Sequence, residues 1–488
     1  MQKSAALTRP EPAARLVALA LAGVAGLTLW RVAMLALSRA DLYVDEAQYW
    51  FWSESLAFGY FSKPPLIAWL IRLSTELGGS AEAFWVRLPA PLLHAAAALA
   101  VGAVGAAFYD RRVGALSALA YATMPAVALG SAVISTDTPL LLATALALLA
   151  WRRLVARPSD GAAAAFGLAV GVGFLAKYAA LYIPLCAALA ALDPRFRMPW
   201  RAAAVAAGVC ALLVAPNLIW NVVNGFVTLS HTAHNADAAG GFALRPGKLA
   251  EFFGAQFGVF GPVLFGGLLW AAWDAARRRP AAAADAALLW FSVPILALVS
   301  LQALRSGANA NWAAAAYAAA TPVVVAKLSR AAPRALTASF AVNLAACVAV
   351  PLAMAAPESL PWPGSRSPLA RVTGRAAFAE AAAATAAAEG LSMIVAGNRG
   401  LLADFAHALR DAPVAVRAVP PEGAPRHHFE MAMPYRDGEG PALFVGFEAG
   451  SPPALPGLRA TGPVVVWRPD TGAHQRRALA AWRMEIER

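Results

Sequence analysis

Asp45 and Glu46 are adjacent carboxylates, and Lys63 follows them in Gly59-Tyr60-Phe61-Ser62-Lys63-Pro64-Pro65. A carboxylate can take a proton, and a cation can meet a phosphate, so the two residue types together suit general-base and electrostatic catalysis. Two neighbouring carboxylates repel when both are ionised, so the pair needs a partner, either an acceptor hydroxyl or a metal ion. Lys63 is a compact point charge suited to phosphate. Local structure offers plainer explanations. Asp45 with Gln48 has the spacing of a helix capping box, and Lys63 can snorkel at a membrane surface.

Further along, Asp137 in Ser135-Thr136-Asp137-Thr138-Pro139 and the pair Lys177-Tyr178 each lie between apolar runs. Ionisable residues in such places are functional-site candidates. A cap on the next helix and a snorkelling lysine are the alternatives. Asn217, Trp220, Asn221 and Asn224 form a third polar group, followed by His231, His234 and Asp237 at helical spacing. That trio can hold zinc or a harder divalent ion; a solvated loop is the competing reading. Asn311 and Trp312 open a later helix and suit sugar hydroxyls and stacking, as a capped helix start also would. Arg31, deep in the first apolar run, is placed to meet a phosphate or an internal carboxylate.

The elements that position these residues belong to a membrane protein. Of 488 residues, 60% are hydrophobic and 14% charged, well below the charge content of a soluble domain. The net charge of +12 does not point to nucleic acid, because the basic residues sit in short clusters between apolar runs. About eleven spans are expected near 14–38, 84–107, 113–133, 137–154, 161–177, 179–193, 202–222, 249–273, 284–304, 312–328 and 335–355. Lys3, Arg9, Arg15, Arg111-Arg112, Arg152-Arg153, Arg157, Arg195, Arg197, Arg201, Arg277-Arg278-Arg279, Lys327, Arg330 and Arg334 then share one side, the cytoplasmic one. The connections 39–83, Ser135 to Asp137, 223–248 and Ser306 to Asn311 face outward. Gly167 and Gly171 have the spacing of a helix-packing pair. Cys186, Cys210 and Cys347 lie in apolar runs and form no disulfide framework.

Within the first outer loop, Asp45, Tyr49, Trp52 and Leu56 recur at helical spacing, so the segment from Asp45 to Gly59 reads as an amphipathic helix in the interface. Pro64-Pro65 opens a second short helix. The domain reading is a membrane domain over 1–356, a linker over 357–368 rich in proline, serine and glycine, and a small α/β domain over 369–488 outside the cytoplasm. Its strands are expected at Leu391 to Ala396, Val414 to Val419, Ala442 to Phe447 and Val464 to Trp467, and its helices near 371–389, 399–410 and 474–486. No glycine-rich nucleotide fingerprint follows a strand, so a transferase built this way would need another activated donor, and a membrane protein can use a lipid-linked one. The fold class is mainly α and polytopic, with interfacial helices in the outer loop and this small α/β domain.

Val44-Asp45-Glu46-Ala47-Gln48-Tyr49-Trp50 and the segment from Gly59 to Trp69 resemble the first periplasmic loop of GT-C glycosyltransferases of the 39/83 type. That group includes protein mannosyltransferases, lipid A aminoarabinose transferases and rhizobial galacturonosyltransferases. The resemblance continues through Ser135 to Pro139, Leu175-Ala176-Lys177-Tyr178, Pro216 to Asn221 and Asn309-Ala310-Asn311-Trp312. It implies an inverting transfer from a polyprenyl-phosphate sugar to a lipid, glycan or protein acceptor at the periplasmic face of the bacterial inner membrane. On it, Asp45, Glu46 and Asp137 are catalytic, and Lys63, Lys177 and Tyr178 bind donor phosphate. Tyr60, Asn217, Asn221, Asn311 and Trp312 bind substrate, and His231 and His234 are candidate metal ligands. Lipid A-modifying relatives carry a metal-linked glutamate where this chain has Ser62. A transporter or flippase for a lipid-linked or small solute is the alternative function.

Overall fold

The computed structural model describes residues 12–235, 244–278, 280–359, 367–475 and 477–487. Lys3, Arg9, Asp237, Arg279 and most of the expected linker lie outside them. The chain divides into two compact units. One holds the residues up to Ala33, Ala90–Trp220 and Ala233–Pro351; the other holds Met34–Pro89, Asn221–Thr232 and everything from Leu352 onward.

The first unit is helical. Along the described chain, six helices are long and apolar enough to cross a bilayer: Ala13–Ala36, Ala83–Phe108, Asp137–Ala156, Trp200–Val223, Ala283–Arg305 and Pro333–Ala355. A seventh appears if Pro246–Val259 and Pro262–Arg277 count as one span, bent by 114°. The bend falls at Gly261, whose φ of 98° suits glycine, followed by a proline. The eleven expected spans are not reached by this measure. The run at 113–133 breaks into Arg111–Ala122 and Pro125–Gly130, with Pro125 opening the second piece. Asp160–Ala176 and Tyr178–Ala190 are apolar but shorter than a span. Ala316–Ala331 has 16 residues. Small residues let these helices touch. A Cβ on Gly167 would collide with the Ala206 carbonyl oxygen, and one on Gly171 would lie 2.9 Å from Leu213, so the glycine pair is a packing device.

The second unit joins the first outer loop to the C-terminal segment. Its sheet runs in the order β2-β1-β3-β5-β4, with β1 at Met393–Ala396, β2 at Ala415–Ala418, β3 at Ala442–Phe447, β4 at Leu458–Trp467 and β5 at Leu479–Ile486. Strand β1 is parallel to β2 and β3; β5 is antiparallel to β3 and β4. Four strands stand where the sequence predicts them. The helix expected over 474–486 is instead β5. Its alanines favour a helix locally, but Leu443 to Phe447 pair with Leu479 to Arg483, and Leu479, Ala481, Trp482 and Met484 are buried there. Sheet pairing overrides propensity. Helices Arg375–Ala388 and Arg399–Ala408 accompany the sheet.

The outer loop packs within this same unit. Helix Val44–Ser53 lies against Arg399–Ala408. Tyr49, Trp50 and Trp52 are all buried, so the aromatic face turns into the unit and not toward lipid headgroups. Trp50 meets the His407 ring edge-on at 4.8 Å, and Trp52 stacks on Tyr60 at 4.8 Å. The loop's exposed apolar side chains are Leu56, Phe58, Leu73 and Leu77, the last two on the second helix, Leu66–Gly78.

His407 Nε2–H donates to the Ala81 carbonyl at 2.9 Å, and burial pushes its pKa down to about 4. Burial first, and His427 second, push His428 down to about 4 as well. Such a histidine binds fewer protons folded than unfolded. Its contribution is full above the ordinary value of 6.5 and is lost as pH falls toward 4. Acidification from about pH 7 to about pH 5 is therefore expected to cost on the order of 1–2 kcal/mol per histidine. Thermal unfolding of purified protein should show the Tm falling over that range, and His407→Gln should flatten the fall. A Tm independent of pH would contradict it.

Candidate active site

The candidate residues fall in both units. In the second unit the loop carboxylates Asp41, Asp45 and Glu46 take three different places. Asp41 Oδ2 accepts from the backbone N–H groups of Arg375 at 2.7 Å and Ala376 at 3.5 Å. It thereby caps the helix Arg375–Ala388, and its burial raises its pKa. Glu46 is 1% exposed. Its Oε2 accepts from the Tyr43 N–H at 2.9 Å and from Arg87 Nη2 at 2.7 Å, and its Oε1 from Arg87 Nε at 2.9 Å. Arg87 also donates to the carbonyls of Ala40 and Asp41. The helix begins at Val44, so the reciprocal contact with the helix start comes from Glu46 and not from Asp45.

Asp45 is left with an open face, its side chain 44% exposed. Arg399 Nη1 donates to Asp45 Oδ1 at 2.9 Å and to Gln48 Oε1 at 3.1 Å. Gln48 Nε2 in turn reaches Ser62 Oγ at 3.5 Å. Ser62 is buried and the neighbouring Lys63 half-buried. This chain of polar contacts ties the carboxylate to the segment that carries Lys63.

Tyr60, expected to bind substrate, is buried with its hydroxyl engaged by the loop. It donates toward the carbonyls of Trp52 at 3.0 Å and Ser55 at 3.1 Å, and accepts from the Ala57 N–H at 3.1 Å. Burial pushes its pKa up to about 12. His231 packs on Phe61 at 5.3 Å. His231 and His234 share the helix Val227–Asn235, but Asp237 lies outside the described residues. Among the described residues no group of three or more His, Cys, Asp or Glu side chains is placed to hold a metal ion. Asn221 is fully buried.

In the first unit the sequence candidates do come together. Asp137 opens the helix Asp137–Ala156. Its Oδ1 accepts from Lys177 Nζ and its Oδ2 from Asn311 Nδ2, each at 2.7 Å. Asp137 and Lys177 keep side-chain exposures of 15% and 16%, so Lys177 is an ion-pair partner before it is a snorkelling side chain. Tyr178 donates to Asn217 Oδ1 at 3.1 Å, and Trp312 is half-buried on the turn Ala310–Ala313. Among the described residues Arg31 meets no carboxylate: it donates to the Ala122 carbonyl at 2.6 Å and approaches Cys347 Sγ at 3.5 Å.

Arg87 and Arg399 are the residues that sequence reasoning missed. Arg87 follows an aromatic pair with nothing to mark its partner. Arg399 reaches Asp45 across 354 positions, beyond any spacing argument.

A family model described as dolichyl-phosphate-mannose-protein mannosyltransferase matches residues 62–220. The lipid A galacturonosyltransferase RgtD of Rhizobium johnstonii is 42% identical over 428 residues, covering 86% of this chain and 89% of that protein. The lipopolysaccharide core galacturonosyltransferase RgtA of the same organism is 30% identical over 220 residues, covering 43% and 44%. Among solved structures, apo ArnT from Cupriavidus metallidurans matches with a TM-score of 0.67 at 16% identity, over 96% of this chain and 98% of that one. The same protein bound to undecaprenyl phosphate gives 0.66 at 15% identity, over 94% and 97%. The fold is thus that of GT-C glycosyltransferases, and the class of protein is a membrane glycosyltransferase, not a transporter. Within that class, the chain belongs to the family of the lipid A galacturonosyltransferase RgtD.

The Glu46–Arg87 pair generates a stability prediction. Arg87→Met leaves a carboxylate buried without its cation, at an expected cost of ~3–5 kcal/mol. Adding Glu46→Gln should recover part of that loss, as read by Tm of the purified proteins. A double variant no more stable than Arg87→Met would contradict it.

Proposed function

We propose that the protein transfers a sugar from a polyprenyl-phosphate donor to a hydroxyl of a lipid-anchored glycan, with inversion, at the periplasmic face of the inner membrane. The reading is carried by Asp45. In a GT-C glycosyltransferase chain, it is the one of Asp41, Asp45 and Glu46 that keeps an open face while an arginine holds it in place. The undecaprenyl phosphate bound by ArnT supports the donor class. The names of RgtD and RgtA support a lipid A or lipopolysaccharide acceptor and a hexuronic acid as the transferred sugar.

In this mechanism the acceptor oxygen attacks the anomeric carbon and its proton passes to Asp45. The bond from that carbon to the phosphate oxygen breaks, and polyprenyl phosphate leaves with the electron pair. Lys63 offsets the charge that develops on the leaving phosphate. Glu46, a positioning residue, fixes the helix that presents Asp45. Asp137 holds Lys177, which with Tyr178 forms a second donor-binding group; Asn217, Asn311 and Trp312 line substrate. The loop 39–83 and residues 369–488 lie outside the cytoplasm, with the membrane domain spanning 1–356.

Asp45→Asn should lower kcat by ~10²–10⁴-fold while the protein still folds, and Lys63→Ala should raise the donor KM more than it lowers kcat. Both are read by glycolipid product from purified protein in lipid. Transfer by folded Asp45→Asn at the wild-type rate would remove the base from the account.

A further inference from the structure

Arg399 carries five N–H donors in a fixed fork. Nη1 uses both of its hydrogens, one on Asp45 and one on Gln48. Among the described residues Nε and Nη2 make no hydrogen bond, and the side chain is 40% exposed. The free edge is therefore the Nε/Nη2 pair, whose two parallel N–H groups match a carboxylate.

That edge is held still. Asn398 Oδ1 accepts from the backbone N–H groups of Gly400 at 2.8 Å and Leu401 at 3.3 Å, which fixes the start of the helix Arg399–Ala408. Just before it, the Gly397 carbonyl accepts from His427 Nε2 at 3.3 Å. His427 is itself fixed from the other side, since its Nδ1 accepts from the Glu430 N–H at 3.3 Å. The guanidinium is anchored at its backbone by these contacts and at its tip by Asp45 and Gln48. Such a fork needs little reordering to bind an anion, and lysine cannot imitate its shape.

A hexuronic acid differs from the neutral hexose of the same configuration in carrying a carboxylate at C6. We propose that the Nε/Nη2 edge of Arg399 binds this carboxylate and sets the donor specificity of the enzyme. The inference rests on the donor proposed above. A bidentate contact there places the sugar against the residue that also holds Asp45, so recognition and proton transfer share one anchor. A neutral hexose leaves the edge without its anion. The donor's phosphate is the other anion within the same chemistry, and it is common to charged and neutral donors.

The test compares two donors on the full-length protein in lipid nanodiscs: polyprenyl-phosphate galacturonic acid and polyprenyl-phosphate galactose, with one acceptor. Wild type should favour the uronic donor in kcat/KM by ~10–100-fold, the range expected for hydrogen bonds to a charged group. Arg399→Gln and Arg399→Lys should bring that ratio toward one. General damage to Asp45 and any phosphate contact cancel in the ratio. Arg399→Lys keeps the charge, so it remains informative if Arg399→Gln fails to fold. A ratio unchanged in the folded variants, with both donors slowed alike, would overturn the assignment and leave Arg399 serving Asp45 or the phosphate. Wild type preferring the galactose donor would overturn the assignment while the transferase reading stands. Wild type using neither donor would sink the donor reading together with this inference.

Discussion

The guanidinium of Arg87 holds the outer loop together. It takes both oxygens of the buried Glu46 carboxylate and the carbonyls of Ala40 and Asp41. A carboxylate removed from water is tolerated only when its charge and lone pairs are met, and here Arg87 and the Tyr43 N–H meet them. The contact fixes where the helix Val44–Ser53 begins and how it is turned. Everything that helix presents depends on that turn: Trp50 and Trp52 inward, Gln48 toward Ser62, and Asp45 toward Arg399.

The loop's acidic residues therefore divide their work by burial. Asp41 ends up on the backbone N–H groups of a C-terminal helix, and Glu46 on Arg87. Asp45 keeps access to solvent and has the Arg399 guanidinium beside it. Of Asp41, Asp45 and Glu46, Asp45 is the group open enough to meet a substrate. In the membrane unit, Asp137 organises a comparable group, holding Lys177 and Asn311 on its two oxygens. A loop and a helix end each devote one carboxylate to fixing a cation, which is how preorganised charge is obtained where water is scarce.

Much of this was legible before the fold. Asp137, Lys177 and Asn311 were marked by polarity between apolar runs, and such residues must find one another when water is absent. Four strands were marked by short apolar runs between turn residues. What was hidden has physical causes. Aromatic residues at helical spacing look alike whether they face lipid or a protein neighbour, and Tyr49, Trp50 and Trp52 face the protein. Strand β5 carries helix-forming alanines, and only its neighbours make it a strand. Tyr60 sits in the loop motif like a ligand contact, yet its hydroxyl closes the loop on itself. Arg399 belongs to a segment with no motif of its own, and its meaning comes from a contact that only folding creates.

The central claim is that sugar transfer here is a direct displacement from a polyprenyl phosphate. The measurement that bears on it most directly is the stoichiometry and stereochemistry of one turnover by the purified full-length protein. Product and released polyprenyl phosphate would be counted by mass spectrometry, and the new linkage assigned by NMR. The account predicts one polyprenyl phosphate per sugar transferred and an inverted anomeric configuration. Retention of configuration, or movement of the lipid-linked sugar without release of polyprenyl phosphate, would contradict it.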